Sequence, residues 1–196
     1  MDYASLKSTV LDWLARQDIS DPVFEGFVTI VEQTISAELK CFDTEKVLVE
    51  TPVPSDLGYL SVKLPKDFRE ARVVTFAGNT LLYVEPQKFI ETPDSKGFTI
   101  IGGVMHFGTG VVGTGDAQII YYSRVPHINM NNLSNAIIEK YPNVYLFGCL
   151  REAYSYISDM EKASLMDTRM ERAIEEARFD ADTSAYSGSV LTPQAE

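Results

Sequence analysis

The sequence predicts an α+β protein: a helix bundle formed by N- and C-terminal helices, an inserted antiparallel β-domain and an extended C-terminal tail. Three observations predict it. Apolar residues recur at helical spacing over the first forty or so residues and again after Leu133. Between these regions, from about Lys46 to Pro126, short runs rich in β-branched and aromatic residues alternate with Gly, Pro, Asn and Asp. The final stretch, "FDADTSAYSGSVLTPQAE", has no period and is too polar to fold alone. The expected segments are therefore 1–43 for the first bundle helices, 44–128 for the β-insertion, 129–178 for the returning helices and 179–196 for the tail.

Tyr3, Leu6, Val10, Leu11 and Leu14 make one apolar stripe and give the first helix. "ISDPVFEGF" opens the second, with Asp21 as expected N-cap and Pro22 at the first helical position, where its missing N–H costs nothing. Phe24, Phe27, Val28, Val31, Ile35 and Leu39 continue its buried face. Strands follow in "KVLVETPVP", "GYLSVKLP", "ARVVTFAG", "TLLYVEP", "FTIIGGVMHF" and "DAQIIYYSRVP". Their close turn signals indicate an antiparallel meander, with one helical turn in "PQKFIETP". "SNAIIEKY" then reads as a short helix capped by Ser134, and Pro142 opens a longer one carrying Val144, Tyr145, Leu150, Tyr154 and Ile157. The last helix presents Leu165, Met166, Met170 and Ile174 to the core against a dense charged face. The expected core places Trp13, Leu14 and Phe27 between the N-terminal helices and the C-terminal pair, with Tyr145 and Leu150 opposite.

"MHFGTGVVGTGD" contains G-x-G-x-x-G at Gly108, Gly110 and Gly113, a spacing that cradles phosphate only where a strand leads into a helix. Here another strand follows, so the glycines are expected to turn a loop by supplying positive φ. No nucleotide site is expected. His106 and His127 have no acid or cysteine cluster at ligand spacing, so no metal ligands and no acid–base pair are assigned. The carboxylate pairs Glu175–Glu176 and Asp180–Asp182 read as solvated surface. There is no G-x-S-x-G elbow, no H-E-x-x-H and no P-loop. No catalytic residue and no cofactor are assigned.

The net charge of -11 argues against a protein that grips nucleic acid, because such binding needs clustered Lys and Arg to displace counterions. Cys41 and Cys149 sit in apolar-periodic stretches and are expected to be reduced core thiols. "MDYASLKSTVLDWLARQD" lacks a basic region followed by an unbroken apolar run, so no signal peptide is expected. No apolar run is long enough to cross a bilayer. The sequon Asn132-Leu133-Ser134 is then a chance match. Met160, Met166 and Met170 suit either core packing or an adaptable binding surface. Tyr121 and Tyr122 point to opposite faces of one strand, so at most one is buried against the helices.

One long stretch, "YYSRVPHINMNNLSNAIIEKYPNVYLFGCLREAYSYISDMEKA", is similar to the hallmark of phage head-to-tail adaptor proteins, which form rings beneath the portal of tailed phages. In that pattern a strand ends in a Tyr pair (Tyr121, Tyr122), followed by a basic residue and a Pro. A polar loop and a short helix ending in Tyr-Pro (Tyr141, Pro142) come next, then an aromatic-rich helix and a long charged one. "WLARQDISDPVFEGFVTIVEQTISAELK" and "LPKDFREARVV" resemble the same family, so the likeness runs from about Tyr3 to Arg178. One departure is "SLMDTRM", where the family's long helix usually carries a Trp.

The resemblance implies a non-enzymatic virion protein at the head-to-tail interface, assembled in the host cytoplasm. It implies a homo-oligomeric ring, a dodecamer matching the portal, whose partners are the portal protein, neighbouring adaptor subunits, the tail nozzle and tail fibres. Viral DNA would pass through without specific binding, and no membrane is involved. Such a ring closes through heterologous contacts, so each subunit needs two complementary flanks. Related adaptors clasp the portal with their C-terminal region, which makes Phe179, Tyr186, Val190 and Leu191 the expected portal anchors. The alternatives are another tail-completion or nozzle protein, or a small enzyme, which would need a pocket with a titrating cluster that the sequence does not offer.

Overall fold

The computed structural model describes residues 1–39 and 44–186. Their elements run α1 (Tyr3–Leu14), α2 (Asp21–Glu38), β1 (Glu45–Glu50), β2 (Val53–Pro54), β3 (Leu60–Lys63), β4 (Phe68–Phe76), β5 (Asn79–Tyr83), α3 (Pro86–Glu91), β6 (Gly97–Ile101), β7 (Val104–Phe107), β8 (Ala117–Ser123), α4 (Ala136–Lys140), α5 (Pro142–Tyr156) and α6 (Met160–Tyr186). The fold is mixed α and β, with the strands inserted between two sets of helices. It divides into two compact units, one formed by 1–43 with 125–196 and one by Thr44–Arg124.

In the helical unit, local chemistry fixes the helix ends. Asp2 and Ser5 form a reciprocal capping box at the start of α1, the Asp2 carboxylate accepting from Ser5 N–H at 2.8 Å. Two expected caps move by one residue. Ser20, not Asp21, is the N-cap of α2, which leaves Asp21 in the first turn, where its charge suits the helix dipole and pairs with Lys7. Asn135, not Ser134, caps α4: its Oδ1 accepts from the amides of Ile137 and Ile138, both at 3.0 Å, while Ser134 turns to Glu139. Between α5 and α6, Ser158 adopts φ 63° and Asp159 accepts from Lys162 N–H, giving a tight helical hairpin.

The core of this unit contains Leu14, Phe27, Tyr145 and Leu150 among its buried residues, with Tyr3, Leu6, Phe24, Val31 and Ile35 fully enclosed. Trp13 does not join them. It is 47% exposed, because it lies about 100° around α1 from Leu14 and the stripe is already filled by Val10, Leu11 and Leu14. Leu165 is likewise 51% exposed, one residue off the buried row of α6. That row is Ala163, Met166, Met170, Ala173, Ile174, Ala177 and Ala181, so Met166 and Met170 are core while Met160 is exposed. Its alanines let α6 approach closely. On α5 the corresponding device is Gly148, where a Cβ would sit 2.8 and 2.9 Å from the two methyls of Val31 and 3.0 Å from Met170 Sδ.

The row at Ala181 also corrects the tail. An extended segment was expected from Phe179, but α6 continues to Tyr186. Ala181 prolongs the buried face, and the Thr183 hydroxyl returns a bond to the Phe179 carbonyl. Loop-like composition lost to that packing. Residues 187–196, which include Val190 and Leu191, lie outside the described residues, as does Cys41. Cys149 is buried and free, and burial pushes its thiol pKa up.

The β-unit is a curled eight-stranded sheet of order β1-β8-β4-β5-β6-β7-β3-β2. It is not the expected meander. Only three neighbouring pairs in that order are hairpins between consecutive strands; three more join strands distant in sequence, and the seventh, β5 with β6, is parallel. The ends of the order, β1 and β2, are separated only by Thr51 and Pro52 in the chain, so one bent strand borders both ends. β5 also changes sides, pairing through Thr80 and Leu81 with β4 and through Leu82 and Tyr83 with β6. Two such strands let the sheet curl around Val62, Phe76, Met105, Phe107 and Ile119.

"FTIIGGVMHF" is two strands, β6 and β7, because Gly102 and Gly103 both take positive φ and turn the chain. Gly108 and Gly110, by contrast, do not need positive φ. They allow backbone contact: a Cβ on either would collide with the main-chain oxygens of Ser95 and Asp94. Thr109 N–H donates to the Pro93 carbonyl at 2.8 Å, and β8, not a helix, follows the loop.

Candidate functional site

The scattered motifs meet as two anchoring clusters, one in each unit. In the β-unit, Asp67 from "LPKDF" receives the Tyr121 hydroxyl at 3.3 Å and Lys46 Nζ at 2.5 Å. Its backbone carbonyl accepts from Arg124 N–H at 2.8 Å. Lys46 holds the Asp67 carboxyl below the usual range. Tyr121 is buried in the β-core beside Phe68, with ring centroids 5.4 Å apart, whereas its neighbour Tyr122 lies on the other face in register with Glu45 and Glu70. The end of the hallmark strand is thus fastened by the loop preceding β4.

In the helical unit, the segment after Arg124 is fastened by Glu32 of α2. This carboxylate is buried, 6% exposed on a face otherwise formed by Phe24, Val28, Val31 and Ile35. It accepts from Ile128 N–H at 2.9 Å, from the Tyr145 hydroxyl at 3.2 Å and lies 2.6 Å from His127 Nδ1. His127 Nε2 faces Glu25 at 3.3 Å. Asn135 Nδ2 donates to the Tyr145 oxygen at 2.8 Å and to the Pro126 carbonyl at 2.7 Å, so one residue caps α4 and ties the segment to α5. Burial pushes the Glu32 carboxyl above the ordinary range, against the pull of its bonds from His127, Ile128 and Tyr145. Burial would lower the His127 imidazole, but the bonds and charges of Glu32 and Glu25 outweigh it and raise its pKa. Burial and the Glu32 charge raise the Tyr145 phenol.

Sequence reading placed His127 correctly in the strand-to-helix connection but gave it, Glu32 and Asn135 no role. The available signal was Glu32 itself, a charge on the apolar stripe of α2. His106, the other histidine, is buried on β7 beside Tyr59, and burial lowers its pKa. Among the described residues, no group of three His, Cys, Asp or Glu could hold a metal ion.

Both units also present large apolar side chains to solvent. In the helical unit Trp13 and Tyr156 stand exposed: the Tyr154 hydroxyl donates to the Trp13 carbonyl, and Tyr156 meets Phe27 edge-on at 5.7 Å. Leu165 and Phe179 lie two heptads apart on the outer face of α6, with the exposed Arg169, Arg172 and Glu176 between them on the same row. Of the expected anchors, Phe179 is therefore an exposed helical residue, and Tyr186 ends the helix. On the β-unit, Val47 of β1, Ile120 of β8 and Val73 of β4 stand in register on the outer face of the sheet. Exposed apolar rows of this kind are the surfaces through which proteins commonly contact other macromolecules.

A family model described as SU10 adaptor protein matches residues 1–193. The chain belongs to the SU10 adaptor protein family. That match extends over both anchoring clusters and agrees with the resemblance to head-to-tail adaptors drawn from the hallmark stretch. Membership of the SU10 adaptor family makes the chain a phage adaptor with a structural role in the virion. No helix among the described residues is long and apolar enough to cross a membrane. A comparison with curated proteins finds no match.

Proposed function

We propose that this adaptor forms a ring, a dodecamer, directly beneath the portal. The ring prolongs the DNA channel into the tail and gives the nozzle and fibres their platform. It performs no chemistry. The family match over residues 1–193 carries this reading. The exposed apolar surfaces support it, because a ring subunit needs two complementary flanks, and both units offer outward apolar rows where such flanks could lie. The acidic balance supports passage of DNA without adhesion. Portal contact is assigned to the exposed Phe179 together with the C-terminal residues beyond it.

The purified chain should be monomeric or weakly associated alone and should form a discrete ring when mixed with its portal. Phe179→Ala should weaken that association while leaving the chain folded. Failure to bind portal at any concentration would contradict the assignment, and a fully active Phe179→Ala variant would move the portal contact elsewhere.

A further inference from the structure

The segment Val125–Asn135 returns the chain from the β-unit to the helices, and it meets α2 through Val125 N–H on the Ser36 hydroxyl, Ile128 N–H on the Glu32 carboxylate and the side chain of His127. His127 lies between two carboxylates of the same helix, Glu32 at 2.6 Å from Nδ1 and Glu25 at 3.3 Å from Nε2. Residues 25 and 32 are one heptad apart on α2, so a single imidazole spans them along one face. We propose that His127 is a protonation-controlled clasp that fastens the return segment to α2.

The geometry gives the two states different numbers of bonds. As an imidazolium, His127 donates from both nitrogens and satisfies both carboxylates. As a neutral ring it keeps one N–H. If that proton stays on Nδ1 toward buried Glu32, the lone pair on Nε2 faces the Glu25 carboxylate, and that contact turns from attractive to repulsive. The other tautomer is worse, since it strips a donor from the buried group. The His127 side chain is 39% exposed, so the proton exchanges directly with solvent.

The neighbouring groups do not blur this switch. From α2 the imidazole faces Glu25 and Glu32; from α5 come Tyr145, bonded to Glu32, and Cys149, both held neutral by burial. From α1 comes Tyr3, beside Glu25, whose phenol burial also raises. The return segment itself contributes no other titratable side chain. Among the described residues, His127 is the one cation paired with either carboxylate. A histidine whose pKa is raised on folding stabilises fully below its unfolded value, near 6.5, and loses that contribution as pH rises through the folded value. The clasp is therefore closed in mild acid and loosens on the alkaline side.

The test uses the full chain between about pH 5.5 and 8.5, above the range where carboxylates broadly protonate. Only two histidines need assignment in the NMR spectrum, and His106→Gln distinguishes them. The His127 imidazole should titrate above 6.5. Hydrogen-exchange protection of the Ile128 amide, which donates to Glu32, should fall as pH rises, after correction for intrinsic exchange. The opening constant should change by about tenfold for each unit that the folded pKa stands above the unfolded one. His127→Gln, which can still donate to Glu32 but cannot titrate, should make that protection independent of pH. A His127 midpoint at or below 6.5 would overturn the proposal, as would equal Ile128 protection at both ends of the range. So would a persistent pH dependence in His127→Gln, which would place the proton on Glu32. If His127→Gln does not fold, the native chain's imidazole titration and Ile128 profile decide alone.

Discussion

Replacing Gly148 with Ala tests how closely α2, α5 and α6 pack. In an unobstructed helix interior the substitution would stabilise by about 1 kcal/mol, the propensity gap between Gly and Ala. Here the new Cβ would lie 2.8 and 2.9 Å from both Val31 methyls, closer than carbon atoms in real structures approach. Val31 is fully buried and β-branched, so it has essentially one helical rotamer and cannot swing both methyls away. Met170 Sδ, at 3.0 Å, can adjust because its side chain is flexible. Overpacking of this kind costs about 1–3 kcal/mol, so the net effect should be a loss of roughly 0–2 kcal/mol in place of a gain. Denaturant unfolding followed by fluorescence suits the measurement, since the single tryptophan, Trp13, lies in the helical unit. The sharper reading is a double-mutant cycle: Gly148→Ala should be less harmful, or stabilising, in a Val31→Ala background. A stabilisation near 1 kcal/mol in the native background, with no coupling to Val31, would refute the close approach.

Other outcomes follow from local geometry and charge. Ala15 ends α1 at φ 51°, a left-handed conformation that is costly for any residue with a Cβ. Ala15→Gly should therefore stabilise the helical unit by about 0.5–1 kcal/mol after the added unfolded-chain entropy, and a destabilisation would rule out that cap geometry. At physiological salt the isolated chain, with net charge -11, should show no measurable duplex DNA binding; micromolar affinity that weakens steeply with salt would contradict it.

The helices were legible where one face alone was buried. The stripes of α1 and α2, and Pro142 at the start of α5, follow from spacing and from the chemistry of helix starts. Trp13 and Leu165 were misplaced because hydrophobicity does not say which side of a wide stripe meets the neighbouring helix. The end of α6 was misread because Ala181, a small residue in a polar run, gives little signal until its packing is seen. The strands were recognisable from their β-branched runs, but their order was not: pairing β1 with β8 and β3 with β7 depends on contacts far apart in sequence, which no local pattern encodes. The anchoring clusters were hidden for the same reason. Glu32 and His127 are 95 residues apart, and neither carries a motif. The hallmark stretch nevertheless contained part of each cluster: Tyr121 and Arg124 in one, His127, Asn135 and Tyr145 in the other.

Averaged images of the phage particle decide whether this chain is the ring beneath the portal. Density for these two units should repeat around the axis between portal and tail, twelve copies enclosing the DNA path. Density for the chain elsewhere in the particle, or its absence from the head-to-tail junction, would contradict it.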